Sequence, residues 1–512
     1  MGLFKPDDQF PPVEHRERLA KHLRGRKVFE NRQQEVYERA VELLKDTPHA
    51  AQLQKLHIAV ALADILVTKP ADLLVGEPPI YESGKGDDSE EQKRLNRIVE
   101  ENDLNQLIHE NTVGNGYRGD GFLKVRFDYK QDFSGLAELG VGIPEGAEML
   151  PIIESVNPSY VFPRLSQGRA KDFKEISIAW VEWVETAKTE VPYLNVERHF
   201  PGFILYERYL LKQREGSVDV RYGVPITYYY IEEKVQTGRD NDLVETGVPH
   251  LLVRHIPYKS TDETWEGISG IEKIEGLLSA IADRVTQVDY ILWKHADPTA
   301  YGPPIDEGDE RLRMGGKYIG VQKEDVIPGY MTWNAQLDAA FKELDYLVGL
   351  VFQISETPQW LFGTTLADNG GGTGTSHTDS GAIKARFMPI LSKVKRIRTH
   401  VDKAVRDALW LAMEVENRQM DGVAGFKKYT PVYPKIQWKD GIPRDEKEFA
   451  EIMQIRTGGK PTIDVLGAVK MLEEVDDDKA KEIIGRIDDD EIKATGTVDS
   501  SIFNAETSEA DQ

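Results

Sequence analysis

"SGAIKARFMPILSKVKRIRTHVDKAVRDALWLAMEVEN", residues 380–417, decides the fold. Ile383, Phe387, Ile390, Val394, Ile397, Val401, Val405, Ala408 and Ala412 recur every three or four residues. That spacing predicts one very long helix with a narrow apolar stripe packed lengthwise against its neighbours. Pro389 falls inside the pattern. A proline removes a backbone donor and crowds the preceding turn, so a kink is expected near residues 385–389. The polar side of the helix is lopsided. Lys384, Arg386, Lys393, Lys395, Arg396, Arg398, Lys403 and Arg406 stand against a single acid, Asp402. Such a face is open to three readings: a solvated surface, a seat for an acidic neighbouring subunit, or a contact with phosphate.

The residues leading into this helix are unlike it. "TPQWLFGTTLADNGGGTGTSHTDSG", residues 357–381, opens on a bulky head, Trp360, Leu361 and Phe362. It then turns polar and glycine-rich through Thr364, Thr365, Asn369, Gly370, Gly371, Gly372, Thr373, Thr375 and Ser376. Interhelical connections usually need only a few residues. Here a long wet segment separates two helices, because 335–355, "AQLDAAFKELDYLVGLVFQIS", also has helical spacing. Further upstream, Ile271, Ile274, Leu278, Ile281, Val285, Val288 and Leu292 give a third apolar stripe. Between these two helices, residues 298–333 carry several turn signals and room for two strands.

Outward from this core the chain changes character twice. Residues 31–46 and roughly 50–75 read as helices, the second stopped by Gly76 with Pro78 and Pro79 beyond it, and another is expected around 90–112. Residues 117–260 hold short runs rich in β-branched and aromatic residues, such as "GFLKVRFDY", "EISIAWVEWVET" and "RHFPGFILYERYLL". They predict a mostly antiparallel β-rich region. The row Tyr228, Tyr229 and Tyr230 fits a strand better than a binding cage. After a strand-like "KKYTPVYPKIQWKDG", residues 445–512 are acidic and helical, with 19 Asp or Glu against 8 Lys or Arg. "TIDVLGAVKMLEEV" is the plainest helix there, and residues 496–512 are expected to be a disordered tail.

Composition narrows the function. The net charge of −23 argues against a general DNA-binding surface. The absence of cysteine excludes disulfides, thiolate metal sites and a cysteine nucleophile. The start, "MGLFKPDDQFPPVEHRERLAKHL", has no apolar h-region of a signal peptide. "LHIAVALADILV" is too short to span a membrane, and Asp64 interrupts it. "RTGGKPT" and "RMGGKY" lack the earlier glycine of a phosphate-binding loop, and Pro461 and Tyr318 stand where its Ser or Thr would hold magnesium. There is no H-E-x-x-H or G-x-S-x-G, and no two of the 11 histidines have metal-ligand spacing. No enzyme, cofactor or metal is expected.

The order of elements resembles the portal proteins of tailed bacteriophages, in particular those of siphoviruses of Gram-positive hosts. The stretches that carry it are "ADILVTKPADLLVGEPP", the helix–insertion–helix–loop–long-helix succession from 267 to 417, and "SETPQWLFG" followed by glycines and "SGAIKARFMPILSKVKRI". The resemblance covers roughly residues 30–475. It implies an α+β portal fold: a wing over 1–267, a stem helix over 268–297 and a clip over 298–334. A second stem helix over 335–356, a tunnel loop over 357–379 and a kinked tunnel helix with a return to the wing over 380–442 follow, then a helical crown over 443–495. It implies a homo-oligomeric ring, typically a dodecamer, at one vertex of the virion capsid, assembled in the host bacterial cytoplasm. Double-stranded DNA would pass through it non-specifically during packaging and ejection. The terminase large subunit, a head-tail adaptor or connector, and the major capsid and scaffolding proteins would be its partners, with no membrane involved. On that reading the loop residues from Trp360 to Ser376 line the channel, and Lys384, Arg386, Lys393, Lys395, Arg396, Arg398 and Arg406 are candidates for contact with DNA or a neighbouring subunit. The alternatives are another head-morphogenesis or adaptor protein, or a packaging-associated enzyme.

Overall fold

The computed structural model describes residues 3–35, 58–133, 135–136, 139–185, 189–295, 300–302, 318–320, 337–362, 380–423, 425–439, 441, 446–459, 461–473, 475 and 477–495. The chain is a mixed α+β protein in two compact units, residues 1–374 with 385–441, and residues 375–384 with 442–512.

The larger unit begins with a two-residue strand β1 (Gln9–Phe10) and helix α1 (Val13–Phe29), which the apolar pattern did not predict. The helix expected at 31 does not start there. Asn31 turns with φ +60° and Gln33–Glu35 makes one 3-10 turn; residues 36–57 lie outside the described residues. α2 (Leu62–Val75) begins later than expected but stops before Gly76 as the Gly-Pro signal requires. After β2 (Ile80–Glu82), the helix expected over 90–112 is two helices, α3 (Glu90–Glu101) and α4 (Leu104–Arg118). The break falls at Asp103, whose φ of +44° no helix interior tolerates.

The β-rich region follows: β3 (Asp120–Tyr129), β4 (Met149–Val156), β5 (Val161–Leu165), β6 (Phe173–Glu185), β7 (Glu190–Phe200), β8 (Phe203–Lys212), β9 (Val218–Arg221), β10 (Val224–Thr227), β11 (Tyr229–Val235), β12 (Leu243–Glu245) and β13 (Val253–Pro257). The apparent single run "RHFPGFILYERYLL" is a hairpin, β7 to β8. It turns at Pro201-Gly202, where Gly202 has φ +89°. Proline then glycine at the centre of a tight turn is the sequence such a turn demands. The main sheet has the order β1-β11-β8-β7-β6-β5, with β12 also on β8, and is antiparallel throughout. One of its faces carries Phe162, Ala179, Leu194, Val196 and Tyr209 and packs on α1. The other meets a three-stranded sheet, β13-β3-β4, through Ile176, Ile178, Phe122, Val253 and Trp265.

The free edge of β4 is closed by one side chain. Asn102 donates to the Pro151 carbonyl at 3.1 Å and accepts from the Ile153 amide at 2.8 Å. It completes a hydrogen-bond pair that a further strand would otherwise supply, which is one way proteins blunt a sheet edge.

Helix α5 (Glu275–His295) starts after the stripe does; its buried Leu278 and Ile281 share a core with Val348, Val351 and Phe352 of α6 (Leu337–Ile354), and Val288 is buried as well. Leu292, the last member of the expected stripe, is exposed. Between the two helices the described residues form a parallel pair, β14 (Ala300–Gly302) with β15 (Tyr318–Gly320). α7 (Ser380–Gln419) is the long helix. Ile390, Val394, Ile397, Val401, Val405, Ala408 and Ala412 are all buried, against Leu95, Ile98, Ile108, Leu123, Val125 and Ile256. Each fully buried branched side chain contributes roughly 1.5–3 kcal/mol. β16 (Lys435–Gln437) then pairs with β2. The second unit holds α8 (Glu446–Thr457), α9 (Val465–Glu473) and α10 (Asp477–Thr495).

Candidate functional site: the long helix and its approach

α6 ends in a turn that aims the chain. Thr357 donates its amide to the Phe352 carbonyl at 3.1 Å, and Glu356 takes the left-handed conformation, φ +56°. This is the helix-ending geometry that usually selects glycine. Glu356 is held instead by Arg396 of α7, 2.5 Å from its carboxylate. Both partners are well exposed, so the pair contributes little stability, about 0.2–1 kcal/mol; what it fixes is geometry. A short 3-10 turn, Gln359–Phe362, follows. Leu361 packs on the core formed by α7, as an anchor for the segment's base should. The side chains of Trp360 and Phe362, and residues Thr364, Thr365, Asn369, Gly370, Gly371, Gly372, Thr373, Thr375 and Ser376, lie outside the described residues.

The basic residues of α7 do not form one surface. Lys393 is buried, and its ammonium donates to the Leu66 carbonyl at 3.3 Å. A contact with DNA or a neighbour through Lys393 would need it in solvent. Its position has a backbone cause. In α2 the residue four after Leu66 is Pro70, which has no amide hydrogen, so the Leu66 carbonyl lacks the i+4 donor a helix normally supplies. Lys393 fills the vacancy. Burial lowers its pKa from 10.5 to about 8.

Arg398 and Arg406 are engaged by the returning chain. Arg398 donates to the Lys439 carbonyl at 2.9 Å and lies over the Trp438 ring. Arg406 donates to the Pro434 carbonyl at 2.7 Å and lies over Tyr433. The one acid of this stretch, Asp402, accepts from the Trp438 indole at 2.7 Å and is 3.4 Å from Arg406. Farther along, Asn417 brackets the Tyr429 backbone from both sides, and the Tyr429 hydroxyl donates to Glu416 at 2.5 Å. That face of the helix is therefore a cradle for residues 425–439. Arg386, Lys395 and Lys403 are exposed, and Arg396 is exposed while paired to Glu356. The Lys384 side chain lies outside the described residues. α7 is continuous through Pro389, which is itself exposed.

Sequence reasoning missed Glu356, Asp402 as an organiser, and the Lys393–Pro70 partnership. The last had a signal: a proline inside the helical pattern "LADILVTKPADLLV" announces an orphaned carbonyl four residues earlier.

The partnership gives a test. Lys393→Met removes a buried ammonium but strands the Leu66 carbonyl, so its stability should stay within about 1–2 kcal/mol of the parent. Adding Pro70→Ala returns a helical amide to that carbonyl and removes an interior proline, and the double variant should exceed the parent by about 2–3 kcal/mol. Urea denaturation measures both. In the parent, the lowered Lys393 pKa means the unfolded chain holds more protons between pH 8 and 10.5. Stability from this group therefore rises as pH climbs through that window, and the rise vanishes in Lys393→Met. A double variant less stable than the parent would refute the pairing.

Among the described residues no His, Asp and Glu groups are placed to hold a metal ion, and no helix is long and apolar enough to cross a membrane. No protein-family model and no curated protein matches the chain.

Proposed function

We propose that this chain is a portal protein of a tailed bacteriophage. It would form a ring at one capsid vertex through which DNA is packaged and ejected, with terminase and the head-tail adaptor docking on it in turn. The observation that carries the reading is the succession of α5, a small β pair, α6, an anchored turn and the 40-residue α7. A scaffold of this order gives the polar, glycine-rich segment that follows it in sequence a fixed origin. α6 supports it independently. Beside its buried side it exposes Phe341, Tyr346 and Ile354, more apolar surface than a helix facing only water would carry.

On this reading residues 357–379 line the channel, and α7 kinks at Pro389 as it crosses the wing. Catalysis has no part; ATP hydrolysis belongs to the terminase. An acidic conduit with few free cations suits passage, because every neutralised phosphate adds salt-dependent grip.

Electron microscopy of the purified protein should show rings with a central hole. A lone compact particle under the same conditions ends the reading. Deleting residues 366–379 should leave rings intact and abolish DNA packaging in a reconstituted head. Loss of assembly instead would make that segment structural.

A further inference from the structure

The β-rich region closes several of its own edges. Asn102 bonds the outward groups of β4. On β5 the position opposite Ile176 is Pro163, which has no amide to offer, and Arg18 donates to the Val161 carbonyl at 2.6 Å. But β5 covers only the first part of its neighbour. It pairs with β6 from Phe173 to Ile178, while β6 runs on to Glu185 with β7 alone beside it. Backbone groups along an antiparallel strand alternate between its two sides. Pro163 takes the outward position of β5, so its partner Ile176 turns towards β7, and Ile178, Trp180, Glu182 and Val184 do the same. Beyond the buried Ala179, then, Val181, Trp183 and Glu185 present both N–H and C=O on the open side. Among the described residues no hydrogen bond reaches them there. Such a row of unpaired groups is a template for another strand.

The side chains say what that strand should carry. Val181, Trp183 and Glu185 share one face of the sheet, and Trp183 is 50% exposed. Glu185 stands directly opposite Glu190 of β7, both are exposed, and no base among the described residues pairs with either. Like charges in that relation repel, and a base on a strand added beside β6 would offset the repulsion. We propose that this edge receives, antiparallel to β6, an extended segment of a partner protein, with a lysine or arginine meeting Glu185 and apolar residues meeting Trp183 and Val181. Main-chain bonds would supply the affinity and the alternating side chains the specificity. A single chain presents the edge, so the inference stands apart from the ring reading.

The probe is the peptide Thr-Lys-Thr-Val-Thr-Val-Thr with blocked termini, titrated to the millimolar range into the full chain while hydrogen exchange is resolved residue by residue. At saturation the amides of Val181, Trp183 and Glu185 should exchange about tenfold more slowly or better, while those of Glu182 and Val184, already bonded to β7, change little. Methylating the two valine amides of the peptide, which face β6, should weaken binding by about tenfold or more. Glu185→Lys, at an exposed position, should weaken the peptide by about twofold to fivefold and turn the preference towards the version with Glu in place of Lys. Protection of Val181, Trp183 and Glu185 before any peptide is added would mean that the edge is already covered, and overturns the inference. So does protection spread equally over the alternating residues, binding that survives methylation, a preference that Glu185→Lys leaves unchanged, or no protection at millimolar peptide.

Discussion

Gly267→Ala is expected to prevent the larger unit from reaching its native packing. A Cβ at Gly267 would lie 1.9 Å from the Gly119 carbonyl oxygen, which is backbone and has no rotamer to escape into. Gly119 is bound in the same way: its φ is +98°, and a Cβ there would sit 2.5 Å from the Gly267 carbonyl. Two more glycines crowd the same place. Gly25 of α1 faces the Tyr117 carbonyl, and Gly270 donates its amide to Gly116 at 2.7 Å. Here α1, the end of α4 and the approach to α5 meet backbone to backbone. Overpacking a core position typically costs 1–3 kcal/mol; a contact this close against rigid backbone should put Gly267→Ala at about 3 kcal/mol or more, and in Gly119→Ala the left-handed φ adds about 1–2 kcal/mol to a similar contact. Denaturant midpoints measure it. Gly86 or Gly135, with open space around them and no left-handed φ, are the controls and should shift little. A Gly267→Ala protein with the parent's midpoint would show that the junction opens without loss.

How much of this was legible in the residues follows from what each position buries. The α7 stripe and the α5 and α6 stripes were readable because their buried positions are apolar, and apolar spacing is what periodicity detects. α1 was not, because its inward positions include His15, Arg16, Arg18 and His22. Arg18 donates to the carbonyls of Pro158 at 2.9 Å and Val161 at 2.6 Å, serving the start of edge strand β5. A helix that buries arginine to satisfy a sheet looks, in sequence, like a solvated one. β4 was missed for a related reason. Pro151 sits within it, which a central strand excludes and an edge strand permits, and only the Asn102 side chain reveals that the edge is closed. In the candidate site, the anchor at Leu361 was legible from its bulk. The division of the α7 cations into buried, cradling and exposed was not, because charge spacing does not say which chain segment returns to cover a helix face.

Asp120→Ala should be the second large loss, and it carries a pH signature. The carboxylate is buried where three elements converge. It accepts from His255 of β13 at 2.7 Å and from the Gly267 amide at 2.8 Å, and lies 3.6 Å from His22 of α1. Burial acts to raise its pKa, yet His22 and His255 together hold it well below the usual carboxylate range. Removing it strands buried donors beside the buried Arg18, at an expected cost of about 3–5 kcal/mol. In the parent, burial lowers the His22 pKa from 6.5 to about 4 and that of His15 to about 3. Above pH 6.5 both are neutral folded or unfolded, and their contribution is constant. As pH falls from 6.5 towards 4, the unfolded chain takes up protons that the folded chain refuses, so stability declines, and the decline from His22 ends near 4. The Asp120 contribution has the other sign and is intact across this window, being lost only as pH falls below 3.8 and through its depressed value. His22→Gln should therefore flatten the slope of stability against pH between 6.5 and 4 by up to one proton, while Asp120→Ala keeps that slope and lowers the whole curve. Denaturant midpoints collected across that range separate the two. A parent whose stability is flat from pH 6.5 to 4 would mean that these histidines are reached by protons in the folded state, and that the convergence of α1, β3 and β13 is looser than its distances imply.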